Sequence, residues 1–210
     1  MKLRILGCSG GIGGNARTTS MLLDEDVLID AGTGVGDLSL SELKLIDHVF
    51  ITHSHLDHIA CIPLLMDSVG SVRDKPLIIH ATEETLEIIR EHIFNWKIWP
   101  DFTRIPDERS PFMRYRAIKL GEVVALGERL ITALPANHVV PAVGFQINSG
   151  KASLVFSGDT TVNDALWEVV NRIDNLRYLI IETAFSNAEK NLAVLSKHLC
   201  RDLYYPLETG

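Results

Sequence analysis

Val49-Phe50-Ile51-Thr52-His53-Ser54-His55-Leu56-Asp57-His58 decides the reading of this chain. Four residues of apolar, β-favouring character run directly into three histidines and an aspartate within six positions. A strand end holds alternate side chains on one face, so His53 and His55 point to one spot. The chain then turns into a helix, expected over Ile59–Val69, and delivers Asp57 and His58 to an adjacent spot. Surface histidines at a turn would not need this density after a buried strand. Two neighbouring metal sites are the natural product, and imidazole with carboxylate suits zinc, as well as manganese or iron.

Around this stretch the chain alternates short apolar runs with amphipathic ones, the pattern of a mixed α/β domain. Strands are expected at Leu3–Leu6, Thr18–Leu23, Val27–Ile29, Val49–Thr52, Leu77–Ile79, Ala117–Leu120, Leu130–Leu134, Val143–Ile147, Leu154–Phe156 and Tyr178–Ile181. Ser149 and Gly150 suit a hairpin tip. Further helices are expected at Glu83–Phe94, Asn163–Arg172 and Ala188–Leu199, the last with Leu192, Leu195 and Leu199 on one face. Asn95–Arg116, rich in Trp, Pro, Phe and charge, lacks periodicity and reads as an insertion or a lid over a site. The 210 residues suit a single domain, 1–210, carrying that appendage.

The net charge of −7 argues against a surface that tracks long nucleic acid, which rests on Lys and Arg. It leaves open a small anionic substrate held by a metal. The three cysteines, Cys8, Cys61 and Cys200, are too few and too far apart for a disulfide framework or a cysteine zinc site. No apolar run is long enough to span a membrane, and the N-terminus lacks the apolar stretch of a signal peptide. A cytoplasmic location and no membrane partner are expected. Gly11-Ile12-Gly13-Gly14-Asn15-Ala16 matches a dinucleotide-binding pattern formally, but the β-branched stretch after it leaves no room for the required helix. These glycines are expected to form a tight turn near the metal rim.

His53-Ser54-His55-Leu56-Asp57-His58 resembles the His-x-His-x-Asp-His signature of the metallo-β-lactamase superfamily. Val27-Leu28-Ile29-Asp30-Ala31-Gly32 resembles the strand before that signature, and Asp30 is then either a residue orienting a ligand or a strand-end turn residue. Leu134-Pro135-Ala136-Asn137-His138 resembles the family's third ligand element. Leu154-Val155-Phe156-Ser157-Gly158-Asp159-Thr160 resembles its Gly-Asp-Thr element, whose aspartate bridges two metals. The resemblance implies a four-layer αββα sandwich, α/β (α+β), apparently short at the C-terminus. It implies His53, His55, His138 and Asp159 on metal one, and Asp57, His58 and Asp159 on metal two, with Zn2+ in both and Mn2+ or Fe2+ as alternatives.

Ile181-Glu182-Thr183-Ala184-Phe185 and Ser196-Lys197-His198-Leu199 resemble an element of the superfamily's phosphodiesterases, including the transfer-RNA 3′-processing endonucleases of the RNase Z type. The resemblance makes His198 a general acid, paired with Asp57, as the two catalytic residues. His92-Ile93-Phe94-Asn95-Trp96-Lys97-Ile98-Trp99-Pro100-Asp101-Phe102 resembles a segment of class II cyclic-nucleotide phosphodiesterases, and its aromatics either stack a purine or pack the insertion against the core. The leading expectation is hydrolysis of 3′,5′-cyclic nucleotides such as cAMP and cGMP to 5′-nucleotides. An RNA-processing phosphodiesterase of the RNase Z type is the second. A metal-binding protein with weak or no catalysis is the third, because the family's last histidine on metal two has no counterpart after His198. Glu208, His198 itself or a second subunit of a homodimer could stand in for it, and metal two is expected to bind more weakly.

Overall fold

A computed structural model of the chain describes residues 1–203. It divides into two compact units, Met1–Ile118 and Lys119–Gly210. Among the described residues no helix is long and apolar enough to cross a membrane.

The first unit is built on a six-stranded sheet: β1 (Leu3–Gly7), β2 (Ser20–Leu23), β3 (Val27–Ala31), β4 (His48–Phe50), β5 (Leu77–Ala81) and β6 (Met113–Ala117), side by side in that order. β1, β2 and β3 are antiparallel neighbours, whereas β3, β4, β5 and β6 run parallel. Parallel strands need crossovers, and helices supply them: α1 (Leu40–Leu45) before β4, α2 (Leu56–Ile59) and α3 (Cys61–Val69) before β5, and α4 (Glu83–His92) before β6. β2 and β3 are buried at every position, as befits strands covered on both faces. The core of this unit joins Val49, Ile79 and Met113 of the sheet, and Ile51 just after β4, to Ile62, Leu65, Met66 and Val69 of α3 and to Leu86 and Ile89 of α4. The helix expected from Ile59 begins three residues earlier, at Leu56, and breaks in two at Ala60.

The second unit holds a five-stranded sheet: β7 (Val123–Leu126), β8 (Arg129–Pro135), β9 (Val143–Asn148), β10 (Ser153–Phe156) and β11 (Leu176–Ile180), in the order β11-β10-β9-β8-β7. β7 to β10 form an antiparallel meander. Gly150, at φ 79°, takes the expected place at the tip between β9 and β10. β11 joins β10 in parallel by way of α5 (Asp164–Val170), whose Leu166 and Val170 pack on Leu134 and Val155.

Four expectations change. The strand foreseen at Ala117–Leu120 lies at Met113–Ala117, so the irregular stretch ends at Phe112. That stretch is also not a lid over the His53–His58 motif. α4 returns from the C-terminal end of β5 to the other end of the sheet, and Met113 pairs with Leu77 there. The stretch is anchored at that far end by Trp99 N–H to the Ile93 carbonyl, Phe112 N–H to that of Ile105 and Met113 N–H to that of Phe102. Of its aromatics and their neighbours, Phe94 and Phe102 are core residues, Trp99 packs on the core, and Trp96 is exposed. Finally, the helix expected through Leu199 is α6 (Lys190–Ser196), ended by Lys197 in the left-handed region at φ 54°. Leu192 and Leu195 are exposed on it, and only Ala193 is buried. α1 and β7 were not foreseen.

His80 of β5 is a buried polar side chain in the first sheet. The His80 ring stacks on Phe50, with centroids 4.2 Å apart, and its Nε2 is 3.0 Å from His48 Nδ1. Burial, with His48 and Arg116 adding to it, pushes the His80 pKa down to about 3. Below the unfolded value near 6.5 the unfolded chain binds the extra proton, so His80's share of stability is complete above that pH and is lost as pH falls towards 3. Urea unfolding of the wild type should weaken by roughly 2 kcal/mol more between pH 7 and pH 5 than that of His80→Phe. Equal pH slopes for the two proteins would refute this.

Candidate metal centre

The His53–His58 motif sits where β4 leaves the sheet, at the carboxyl ends of the parallel strands, the end at which open α/β sheets hold ligands. Asp30 is the penultimate residue of β3, beside it. It is fully buried and stands in the left-handed region at φ 56°, a strained position for a residue other than glycine. Its carboxylate accepts the Thr52 N–H at 2.8 Å and the Thr52 hydroxyl at 2.8 Å, and lies 2.7 Å from His58 Nδ1. Thr52 Oγ1 is in turn 3.0 Å from His53 Nδ1. With the threonine hydroxyl donating to Asp30, its oxygen receives Nδ1–H of His53, and Asp30 receives Nδ1–H of His58. Both imidazoles then carry their lone pair on Nε2. The rings of His53 and His58 lie 4.1 Å apart between centroids, and those of His53 and His55 4.7 Å apart. Asp57, partly exposed, brings an oxygen to 3.5 Å from His58 Nε2. Burial pushes the Asp30 carboxyl upward, and His58 and the Thr52 donors pull it back. Of the two readings of Asp30, the structure carries the orienting one.

Gly32 makes this corner possible. A Cβ there would stand 2.2 Å from the Asp57 carbonyl oxygen and 2.3 Å from Thr18 Oγ1, so only glycine lets the two meet.

The second unit forms its own cluster. His138 follows β8, Asp159 follows β10, and His198 follows α6, and each offers a ligand atom within 4.8 Å of the others'. Gly158 makes the turn that delivers Asp159, at φ 60°. Thr160 Oγ1 accepts the Asn137 N–H at 2.9 Å, which ties the Asp159 turn to the residue before His138. His138 Nδ1 lies 3.1 Å from the Lys197 carbonyl, which again leaves the lone pair on Nε2. The left-handed turn at Lys197 thus aims one carbonyl at His138 and sends the next side chain, His198, towards the same place.

His198 is held by Glu182, whose role the sequence reading missed. Glu182 Oε1 is 2.9 Å from His198 Nδ1 and also accepts the N–H groups of Leu199 and Thr160, while Oε2 accepts that of Ala184. Asp159 Oδ2 stands farther off, at 3.8 Å. The sequence signal was present: Glu182 closes an apolar strand region, as Asp30 and Asp159 do. Asp57, expected to pair with His198, belongs to the first unit. Glu208 lies outside the described residues.

The donor set fits divalent metal. Nitrogen and carboxylate oxygen dominate it, and His53, His58 and His138 each have one ring nitrogen fixed by a hydrogen-bond partner, the usual support for metal-bound imidazole.

The family model described as the β-lactamase superfamily domain matches residues 25–199. A probable 3′,5′-cyclic-nucleotide phosphodiesterase of Yersinia pestis is 27% identical over 157 residues, 68% of this chain and 44% of the relative. A ribonuclease Z of Clostridium novyi is 28% identical over 168 residues, 75% of this chain and 53% of the relative. The chain therefore spans about half the length of these curated relatives. The crystal structure of unliganded yeast PDE1 superposes with a TM-score of 0.79 at 19% identity, covering 96% of this chain and 79% of that one, a likeness of fold.

Replacing Asp30 tests the support it gives. Asp30→Asn keeps the shape and tolerates the left-handed backbone, and should weaken zinc binding about 10- to 100-fold in a chelator competition. Unchanged affinity would remove Asp30 from the centre.

Proposed function

This chain belongs to the β-lactamase superfamily, and on that footing we propose that it is a metal-dependent phosphodiesterase acting on a small anionic phosphodiester, foremost a 3′,5′-cyclic nucleotide. The observation that carries the reading is the Glu182–His198 pair. Asp30 gives His58 the same support as a metal ligand, but His198 stands outside the ligand set proposed below, so its proton serves the departing alkoxide that phosphodiester cleavage must protonate.

His53, His55, His138 and Asp159 are proposed to hold one ion, and Asp57, His58 and Asp159 the other, with zinc the first choice and manganese or iron the alternatives. When bound, such a pair supplies a water of lowered pKa and neutralises phosphate charge. The chain's own part is positional. Asp30 and Thr52 fix the tautomers of His53 and His58, and the Lys197 carbonyl fixes that of His138. Glu182 holds Nδ1 of His198, stabilises the ring when it is charged, and leaves the Nε2 proton for the 3′ oxygen as it departs. The net charge of −7 favours a small substrate over RNA, while the relatives named ribonuclease Z keep an RNA substrate as the second reading.

The test is turnover of cAMP, cGMP, bis(p-nitrophenyl) phosphate and a 3′-extended transfer RNA, with zinc and manganese compared. Cleavage of cyclic nucleotides is expected. Cleavage of the RNA alone would replace the substrate, and full metal occupancy without any turnover would end the phosphodiesterase reading. His198→Ala should lower kcat about 100- to 10,000-fold with metal content intact. Loss of metal would make His198 a ligand instead of an acid. Glu182→Gln should cost less than His198→Ala and should move the alkaline limb of the pH–rate profile to lower pH.

A further inference from the structure

His198 is touched by more than Glu182. The turn after β11 delivers two side chains to one imidazole. Glu182 takes its Nδ1–H at 2.9 Å. Three residues on, the half-buried Phe185 ring stands edge-to-face against His198, with centroids 5.5 Å apart and planes at 65°. The backbone of the turn is fixed for this. Glu182 Oε2 accepts the Ala184 N–H at 2.9 Å, Phe185 N–H donates to the Leu199 carbonyl, and Phe185 forms an isolated bridge with Cys200. Phe185 is thus tied to the two residues that follow His198, both of them buried.

A second ring bounds the same imidazole. His138 stands against His198 with centroids 4.8 Å apart and planes at 72°. Lys197 fixes His138 twice. Its carbonyl accepts Nδ1–H of His138 at 3.1 Å, and its ammonium donates to the His138 carbonyl at 3.3 Å. The helix that carries His198 in gives little hold of its own, since Ala193 is the one buried residue of α6.

The carboxylate and the rings do different things. The Glu182 hydrogen bond sets the tautomer and pins one nitrogen, but the torsion that turns an imidazole about its Cβ–Cγ bond is soft, so the ring can still rock on that bond. Rocking carries Nε2 off line. An edge-to-face aromatic contact favours one mutual angle, which an aliphatic side chain of similar size does not impose.

We propose that Phe185 is a positioning residue for the general acid, holding the His198 ring at the angle from which Nε2 gives its proton to the departing oxygen as the P–O bond breaks. The inference rests on the phosphodiesterase reading for that reaction. Its mark is dependence on the leaving group. The 3′ alkoxide of a nucleotide needs a proton to leave, whereas p-nitrophenolate is a stable anion and leaves without one. A residue that aims the acid governs the first reaction far more than the second, while one that props up the fold or the metals governs both alike.

In zinc-loaded protein, Phe185→Leu should lower the ratio of kcat for cAMP to kcat for bis(p-nitrophenyl) phosphate about tenfold, with both KM values unchanged. Where a 3′-extended transfer RNA is the substrate cleaved, it takes the place of cAMP in that ratio. Phe185→Tyr, which keeps the ring, should restore the ratio. In a His198→Ala background, Phe185→Leu should cost nothing further. An unchanged ratio, or an undiminished loss in the His198→Ala background, would overturn the assignment and leave the phosphodiesterase reading standing. The Nδ1–H proton of His198 in metal-free protein gives a readout without turnover. Its NMR signal, identified by its absence in His198→Ala, should be sharp in the wild type and in Phe185→Tyr and exchange-broadened in Phe185→Leu. Identical signals in the three proteins would also overturn the assignment. Wild-type protein that cleaves no phosphodiester but shows the broadening in Phe185→Leu would end the enzyme reading and keep Phe185 as the residue that holds the ring.

Discussion

The buried Asp30 carboxylate and the donors gathered on it are the constraint on which the rest depends. Asp30 has no water around it, so it is tolerable only while Thr52 and His58 satisfy it. Those partners are brought by a different strand. The parallel register of β3 and β4, the crossover through α1 and the exit of β4 at Thr52 all have to be right for the network to close. A residue that fixes imidazole tautomers thereby also fixes the packing of two strands, and the left-handed backbone at Asp30 is held by that over-determination.

The second unit repeats the principle with other parts. There a carboxylate, Glu182, closes a strand region and collects four donors, among them one imidazole. The Lys197 carbonyl plays for His138 the part Asp30 plays for His58. In both units the chemistry-bearing nitrogen is set by what the opposite nitrogen of the ring donates to.

Much of this was legible in the sequence, because strand, motif and turn residues are local. His53, His55, Asp57 and His58 follow an apolar strand, and Gly158-Asp159 marks its own turn. The misses have physical reasons. β6 carries Arg114 and Arg116 on one face, which hid its alternation of buried Met113 and half-buried Tyr115. α1 was readable and overlooked: Ser39 and Glu42 form a capping box, a signature written in the order Ser-x-x-Glu. Leu192 and Leu195 keep helical spacing without being buried, since spacing says which face is apolar and not whether anything covers it. The Asn95–Phe112 stretch looked like a lid by composition, but its position is set by the direction in which α4 runs, a topological fact that no local pattern encodes.

That stretch has a practical side. Its ends are fastened at the amino-terminal edge of the first sheet, one helix length away from the strand ends that carry the histidines. Trp96 and Ile98 stand exposed on it in a turn pinned by Asn95. A tag, a surface tether or a fluorophore grafted there would stand at the end of the first sheet opposite the His53–His58 motif. The first unit thus carries a handle at the far end of its sheet from the histidines of that motif.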